Sequence, residues 1–409
     1  MQNKLNILII SHHSRHKIIR TYSMAHELVE NGHQVTLLAI SEKSRWGIKV
    51  SCWDGIRLIE FPDLFFGKLR SGWDIWDMLN RLFFLALDKS EYDLIHCHGT
   101  RPVTIYPALY LCKRKKIPLL IDWMDWFGRG GLVEINRPRW YRLFFGWLDA
   151  YYEEGFLAKA AGITVISNAL MERALSLGVS HRRLCYLPGG THPERFPVRS
   201  KEECRDRLGY PQYDPIIGFS SADSHLDLDI IMQSLAIVAR KYPSIKLLIT
   251  GKRSPKINNL ARKHQVEDRL IQTGFLSIEE LPVYLSCADL FVLPFPSTTY
   301  NLGRWPNKFG DYMCLGRPIV SNPVGEIKTL FDRHQLCLLA EWDVEDFARK
   351  IFQILDFPNL AQPMVERALQ VAREERNWRT LVHLLEDFYK KVLSFSDLKT
   401  DAKRGNVQL

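Results

Sequence analysis

The sequence predicts an α/β protein made of two doubly wound parallel sheets. Three observations predict it. Short apolar runs recur at near-regular intervals, amphipathic helical patterns fill the gaps, and a Pro- and Gly-dense interval splits the series in two. Strand–helix alternation of this kind builds parallel sheets whose two faces are both covered by helices. The 409 residues give room for two or three domains.

The first series of strands is "LNILII" (5–10), "HQVTLLAI" (33–40), "IRLIEF" (56–61), "YDLIHCH" (92–98), "IPLLID" (117–122), "ITVIS" (163–167) and "RLCYLP" (183–188). "RTYSMAHELVENGH" is the first helix, stopped at Gly32, a residue suited to helix ends. After "PGGTHPERFPVRS" and a charged helix, the second series runs "DPIIGFS" (214–220), "IKLLITG" (245–251), "RLIQTGF" (269–275), "LFVLPF" (290–295), "PIVSN" (318–322) and "LCLLA" (336–340). These patterns divide the chain into residues 1–195, 196–375, a long amphipathic helix at 376–395 and a flexible tail at 396–409. In such sheets ligands bind at the carboxyl ends of strands, where the strand order reverses.

The chain is 46% hydrophobic and 25% charged, which excludes global disorder. Its net charge of +9 favours acidic partners: nucleotides, nucleic acid or anionic lipid. No basic stripe carries a nucleic-acid-binding motif, so no nucleic-acid partner is expected. The eight cysteines form no CxxC pair and no zinc spacing, which reads as reduced thiols in a cytoplasmic protein. No apolar run approaches the roughly 18 residues that cross a bilayer. The start "MQNKLNILIISHHSRHK" reads as a first strand without a cleavage site.

Chemistry-bearing residues cluster where these strands end. In "NLGRWPNKFGDYMCLGRPIVSN" (301–322) a loop becomes a helix near Pro306, with Lys308 and Asp311 one turn apart. A helix start offers free N–H groups and partial positive charge to a phosphate. Lys308 adds a full charge, and an ionised Asp311 accepts two hydrogen bonds from a diol. A plain first-turn acid beside an exposed lysine fits these residues as well. "TGKRSPK" supplies Lys252 and Arg253, and reads equally as a solvated basic turn. In the first half, His12, His13 and Arg15 follow one strand, His98 another, and "DWMDWFGRGG" (122–131) a third, which suggests a rigid polar point, Asp122 or Asp125, on a mobile loop. The bland alternative is that Asp122 caps a turn and His98 packs at a strand end. Two basic aromatic segments, 65–87 and 137–156, place Trp73, Trp76, Leu79, Leu82 and Phe83, and Trp140, Phe144 and Trp147, at helical spacing. Core packing of the first domain is the favoured reading, and an anionic membrane surface the second.

In order and spacing these segments resemble a GT-B glycosyltransferase of glycosyltransferase family 4. The resemblance is carried by "ELVENGHQVTLL", "AAGITVISNALMERALSLGVSHRRLCYLPGGTHPERF", "LIQTGFLSIEELPVYLSCADLFVLPF" and "KFGDYMCLGRPIVSNPVGEI". It implies a retaining transfer of a hexose from a nucleoside-diphosphate sugar to a glycan or lipid-linked acceptor. It also implies two Rossmann-like domains facing a cleft, the second holding the donor, and a last helix crossing back to the first. No cofactor beyond the co-substrate and no metal is implied, and the enzyme would be cytoplasmic or peripheral on the cytoplasmic membrane face. The implied donor contacts are Ser220, Ser221, Lys252, Arg253, Gly274, Phe275, Leu276, Gly303, Arg304, Lys308 and Asp311. Asp125, Asp122 and His98 are the catalytic candidates, and His12, His13 and Arg15 lie on the acceptor side. Two departures stand out. The family's Glu-x7-Glu pair has Asp311 at its second position and Gly303 at its first. Phe219 follows Gly218 where relatives usually carry an arginine, and Ser224 or His225 stands near a usual lysine. A catalytically degenerate binding or scaffold protein is the alternative these departures raise; a GT-B epimerase or phosphorylase is a third.

Overall fold

The computed structural model describes residues 4–17, 19–64, 71–220 and 226–405. The chain forms two compact units. The first takes the chain through Pro188, the stretch Gly303–Trp305 and the chain from Trp378; the second is Gly189–Leu302 and Pro306–Asn377. The first boundary therefore falls between Pro188 and Gly189, directly after the last strand of the first sheet.

The first unit holds β1 (Asn6–Ser14), β2 (Gln34–Ser41), β3 (Lys49–Trp53), β4 (Ile56–Pro62), β5 (Leu94–His98), β6 (Leu119–Trp123), β7 (Gly162–Val165) and β8 (Leu184–Tyr186). They pair in the order β3-β4-β2-β1-β5-β6-β7-β8. Every pair is parallel except β3–β4. Its helices include α1 (Ile19–Glu30), α2 (Ile75–Leu87), α3 (Pro102–Lys115) and α4 (Arg139–Glu154). Strand β3 has no counterpart among the predicted apolar runs because its side chains are half-buried or exposed. Its signal is the turn: Asp54 and Gly55 both have positive φ, at 49° and 78°, between the paired Trp53 and Ile56. Asp-Gly is the dipeptide that a two-residue hairpin of this hand favours.

The second unit holds β9 (Ile216–Ser220), β10 (Lys246–Thr250), β11 (Leu270–Gly274), β12 (Leu290–Leu293), β13 (Ile319–Ser321) and β14 (Leu338–Leu339). The order β11-β10-β9-β12-β13-β14 is wholly parallel and reverses between β9 and β12. Helix α5 (Asn307–Cys314) lies on this unit. The final helix α6 (Trp378–Gly405) extends beyond residue 395, where the apolar pattern stops. Among the described residues no helix is long and apolar enough to cross a membrane.

Helix α6 seals the first sheet. Trp378, Leu381, Val382, Leu385, Phe388, Tyr389 and Val392 repeat at helical spacing and join one core with Ile7, Ile9, Leu28, Val35 and Leu37. A Cβ on Gly162 would stand 2.8 Å from Phe388 and from Val392, so glycine is what lets the helix approach β7. Glu386, buried, closes the contact by accepting from Asn31 Nδ2 at 2.9 Å, and it lies 2.9 Å from His33 Nε2.

The core-packing reading of the aromatic segments holds for Trp73 and Leu82, which are half-buried, and fails for the rest. Trp140, Phe144 and Trp147 on α4, and Trp76, Leu79 and Phe83 on α2, are exposed. The side chains these helices bury are largely polar: Asp77 and Arg81 with Leu85 on α2, and Asp149 and Glu153 with Ala150 on α4. Apolar spacing locates a stripe on a helix but not the side it faces. Residues 65–70 of the first segment lie outside the described residues.

Leu385 is fully buried, so Leu385→Ala should cost ~2–5 kcal/mol through lost contacts and a residual cavity. Urea unfolding followed by circular dichroism checks this. An unchanged midpoint would show that α6 does not seal the sheet.

Candidate active site

In the second unit, α5 begins over the point where the strand order reverses. The Tyr312 ring stacks on Phe291 of β12, with centroids 4.1 Å apart. Its hydroxyl accepts from the Ser220 N–H at the end of β9, at 2.7 Å. Gly218 permits this packing, since a Cβ there would meet Phe291 at 2.6 Å. One turn back, Lys308 Nζ sits 4.7 Å from the centre of the Phe219 ring. Tyr312 and Lys308 thus fix the helix start beside the carboxyl end of β9, where a doubly wound sheet opens its crevice. Pro306 is the N-cap and brings no side-chain capping bond. It stands one place earlier than a first-turn proline, and the leading N–H groups of α5 have no side-chain cap from it.

Asp311 follows Lys308 by three residues and is half-buried. Burial pushes its carboxyl up to about 7, against the opposing pull of Arg195 and Lys308. No described residue donates a hydrogen bond to it. Around the same strand ends, Lys252 and Arg253 follow β10 and are exposed, and the Gly251 N–H donates to Gly274 O at 3.0 Å. Gly274 has φ of +81°, and the Phe275 ring after it is 81% exposed. Leu276 is half-buried, and Thr250 Oγ1, at the end of β10, is buried without a partner. Ser221, Ser224 and His225 lie outside the described residues.

The first unit gathers its predicted residues at the carboxyl ends of β1, β5 and β6. Asp122 is fully engaged. Arg20 of α1 donates to both its oxygens, Nε to Oδ2 at 2.9 Å and Nη2 to Oδ1 at 3.0 Å. Thr164 of β7 donates to Oδ1 at 2.6 Å, and His98 Nδ1 lies 3.2 Å from Oδ2. Despite burial, Arg20 and then His98 hold this carboxyl well below the usual range. Asp122 therefore ties strand ends together and has no oxygen left to take a proton from a ligand. Burial lowers His98 to about 4.

His12 and Asp125 are different. Both line a small, partly open pocket of about 40 Å³ with Trp73, Thr100, Arg101 and Tyr152. Buried His12 points Nδ1 at His98 O, 2.8 Å away. A carbonyl only accepts, so Nδ1 carries the proton and Nε2 keeps its lone pair. That Nε2 is buried without a partner. Burial, then the neighbouring His13 and Arg101, keep the ring neutral. Burial lifts Asp125 to about 6, opposed by Arg304, Arg101 and Arg20. The loop carrying Asp125, expected to be mobile, is pinned. Glu153 accepts from Phe127 N and Trp123 Nε1 at 2.8 and 2.9 Å, and also from Gly128 N. Leu132 N and Val133 N donate back to Trp126 O and Phe127 O.

His13 is half-buried, burial lowers it to about 3, and its ring centre is 4.0 Å from that of His12. Arg15 turns onto the Trp53 ring at 4.3 Å, and so toward the β3–β4 hairpin. Gly303 and Arg304 group with the first unit, apart from Lys308 and Asp311 in the second. A Cβ on Gly303 would stand 2.6 Å from Trp126 Cβ, so the position has no room for a side chain. Arg20, Arg101 and Glu153 were not singled out from the sequence. Arg20 and Glu153 sit within helical patterns, where only a charge on an otherwise apolar face could have marked them.

Family models match both units: a glycosyl transferase 4-like domain over residues 19–190 and a glycosyl transferases group 1 domain over residues 214–356. The chain is a GT-B glycosyltransferase of the family 4 type. This glycosyltransferase is 28% identical over 214 residues to the 2-deoxystreptamine glucosyltransferase of Streptomyces kanamyceticus, across 50% of its own length and 54% of that protein's. It is 21% identical over 315 residues to the alpha-monoglucosyldiacylglycerol synthase of Streptococcus pneumoniae, across 72% of its own length and 65% of the relative's. The chain thus spans between half and two thirds of these relatives. Its fold is that of sucrose-phosphate synthase from Thermosynechococcus elongatus, with TM-score 0.73 and 17% identity over 95% of this chain and 99% of that one. Anabaena Alr3699/HepE, solved in complex with UDP-glucose, is also similar, with TM-score 0.67 and 14% identity over 95% and 100%.

The Arg20–Asp122 pair gives a direct test. Asp122→Asn leaves a buried guanidinium without its counter-charge and should cost ~3–5 kcal/mol at neutral pH. The folded-state pKa of Asp122 is depressed, so its stabilisation is present above the unfolded value of 3.8 and is lost as pH falls through the folded value. Thermal melts of the two proteins should therefore converge in strong acid and diverge at neutral pH. Parallel curves would show that the pair contributes nothing.

Proposed function

We propose that this glycosyltransferase moves a hexose, with retention, from a nucleoside-diphosphate sugar to a hydroxyl of a glycan or lipid-linked acceptor in surface polysaccharide or glycolipid synthesis. The observation that carries the reading is the start of α5, held at the switch point of the second sheet with Lys308 and Asp311 in its first turns. Lys308 and the helix N–H groups take the diphosphate, and Asp311 accepts from the ribose diol. Phe275, exposed after the left-handed Gly274, offers a face to the base, with Leu276 beside it. Lys252 and Arg253, exposed after β10, and the Ser220 strand end supply further contacts to the same ligand. HepE, similar in fold, is solved with UDP-glucose, and a relative named for diacylglycerol chemistry supports the lipid acceptor.

In the reaction the bond from the anomeric carbon to the diphosphate breaks, and the nucleoside diphosphate leaves with the electron pair. The acceptor oxygen bonds to that carbon, and its proton passes to the diphosphate oxygen freed by the cleavage. His12 Nε2, His98 Nε2 and the Asp125 carboxyl are first-unit groups that could hold that hydroxyl. Positive charge at Lys308 and the start of α5 stabilises the departing diphosphate without a metal.

Asp311→Asn should weaken binding of the preferred donor on the order of tenfold or more, because a hydrogen bond to a charged acceptor is lost. Wild-type affinity should rise with pH through about 7, as the carboxyl ionises, and the Asn variant should be flat. Stability moves the other way. A raised folded-state pKa makes burying the charge costly above about 7, so Asp311→Asn should melt higher than wild type at alkaline pH and match it below 3.8. Calorimetric titration and slow hydrolysis across UDP-, GDP- and ADP-sugars read the first effect, and thermal melts the second. Binding of no donor would sink the transferase reading in favour of a scaffold.

A further inference from the structure

Two helices of the first unit are turned inside out. On α2 the buried side chains include Asp77 and Arg81, paired at 2.6 Å, with Arg81 also donating to Ser11 O at 2.7 Å. Its outer stripe is Ile75, Leu79, Phe83 and Leu87, four residues apart each time and all exposed. On α4 the buried side chains are Asp149, Ala150 and Glu153. Its outer stripe is Trp140, Leu143, Phe144, Trp147 and Tyr151, with Leu143 76% exposed and both tryptophans 63% or close to it, at 60% and 63%. A soluble helix normally does the reverse, because exposed apolar area forfeits hydrophobic stabilisation. Large exposed apolar patches mark interaction surfaces.

The two stripes belong to one structure. Tyr152 of α4 packs its ring 4.8 Å from that of Trp73, just before α2, and its hydroxyl lies 2.8 Å from that of Tyr106 on α3. The charge beside them is mostly positive, with Glu134 before α4 and Glu91, paired with Lys115, as nearby acids. Residues 137–148 carry Arg137, Arg139 and Arg142 and no acid. Exposed Lys113, Arg114 and Lys116 lie at the end of α3, where Arg114 reaches Ala86 O on α2.

We propose that the outer faces of α4 and α2 dock this protein on an anionic bilayer, with Trp140, Phe144 and Trp147 entering the headgroup boundary. An apolar face of Trp, Phe and Leu flanked by arginines is the composition of an interfacial helix. Tryptophan and tyrosine favour the membrane–water boundary, and each nearby arginine adds attraction to anionic lipid. A second copy of the chain is the poorer occupant, since a two-fold contact through this face would set the arginines of one copy against those of the other. The inference stands apart from the donor reading, because none of these residues belongs to the donor or acceptor contacts.

Co-sedimentation of the full chain with vesicles tests it. The protein should pellet with phosphatidylcholine–phosphatidylglycerol vesicles, less so in high salt, and remain in the supernatant with phosphatidylcholine alone. The double variant Phe144→Ser, Trp147→Ser should weaken partitioning on the order of tenfold or more while melting as wild type does. Arg137→Glu with Arg139→Glu keeps the aromatic stripe and should abolish the preference for the anionic vesicle. Equal binding to both vesicles, binding to neither, or a dimer by light scattering that Phe144→Ser dissolves would each overturn the proposal. Donor affinity, measured in the same variants, should be unchanged.

Discussion

The first unit depends on one buried ion pair. Arg20 spends its guanidinium on both oxygens of Asp122 and on the carbonyls of Leu187 and Pro188. That single side chain links α1, the end of β6 and the end of the first unit's main run of chain. Through Asp122 the link extends to Thr164 on β7 and His98 on β5. A parallel sheet offers no hairpins to register its strand ends, since every crossover is long. A charged cluster centred on a fully bonded Asp122 can do this, because each missing partner would leave a buried polar group unpaired. The same cluster fixes the His98 carbonyl that sets the tautomer of His12. The reactive-looking acid of "DWMDW" is thus structural at Asp122, while Asp125, three residues later, lines the pocket beside His12.

The second unit solves the equivalent problem with less charge. A tyrosine hydroxyl on a strand-end N–H and a stacked ring seat α5, and no ion pair is needed at Ser220. Lys308 lies over the Phe219 ring, and its charge, with that of Arg195, opposes the effect of burial on half-buried Asp311. A carboxyl held in a half-buried place is costly to ionise, which is why burial raises Asp311. The start of α5 is thus seated by a ring stack and one hydroxyl, and the ends of the first unit's strands by the Arg20–Asp122 cluster.

The strands were legible because buried parallel strands are continuous apolar runs, and all thirteen predicted runs contain one. β3 escaped because a half-exposed edge strand has no such run; only Asp54-Gly55 announced it. Lys308 and Asp311 were legible because a helix start is written locally, in Pro306 and the spacing that follows. Arg20, Arg101 and Glu153 were not, since their partners are distant in sequence: Asp122 is 102 residues from Arg20, Ser71 is 30 from Arg101, and Phe127 and Trp123 are 26 and 30 from Glu153. The aromatic helices were read at the right spacing with the wrong side inward. Their buried Asp77, Arg81, Asp149 and Glu153 held the information, for acids and bases at the same helical period as the apolar stripe, but on the opposite face, leave open which face is covered.

Gly303 shows why a departure from a family pattern must be read with its surroundings. Taken alone, the glycine is a lost carboxylate. In the structure its missing Cβ is space that Trp126 fills, on a loop that Glu153 pins from behind. A glutamate at 303 would have to displace Trp126, and with it the hydrogen bonds by which the 126–133 turn closes on itself. The glycine, the tryptophan and the buried glutamate are one packing arrangement rather than three separate substitutions. Within that arrangement Arg304 faces Asp125 and lowers its proton affinity against the effect of burial. The loss of an acid at 303 and the readiness of the acid at 125 therefore have a common origin in how closely these two segments pack.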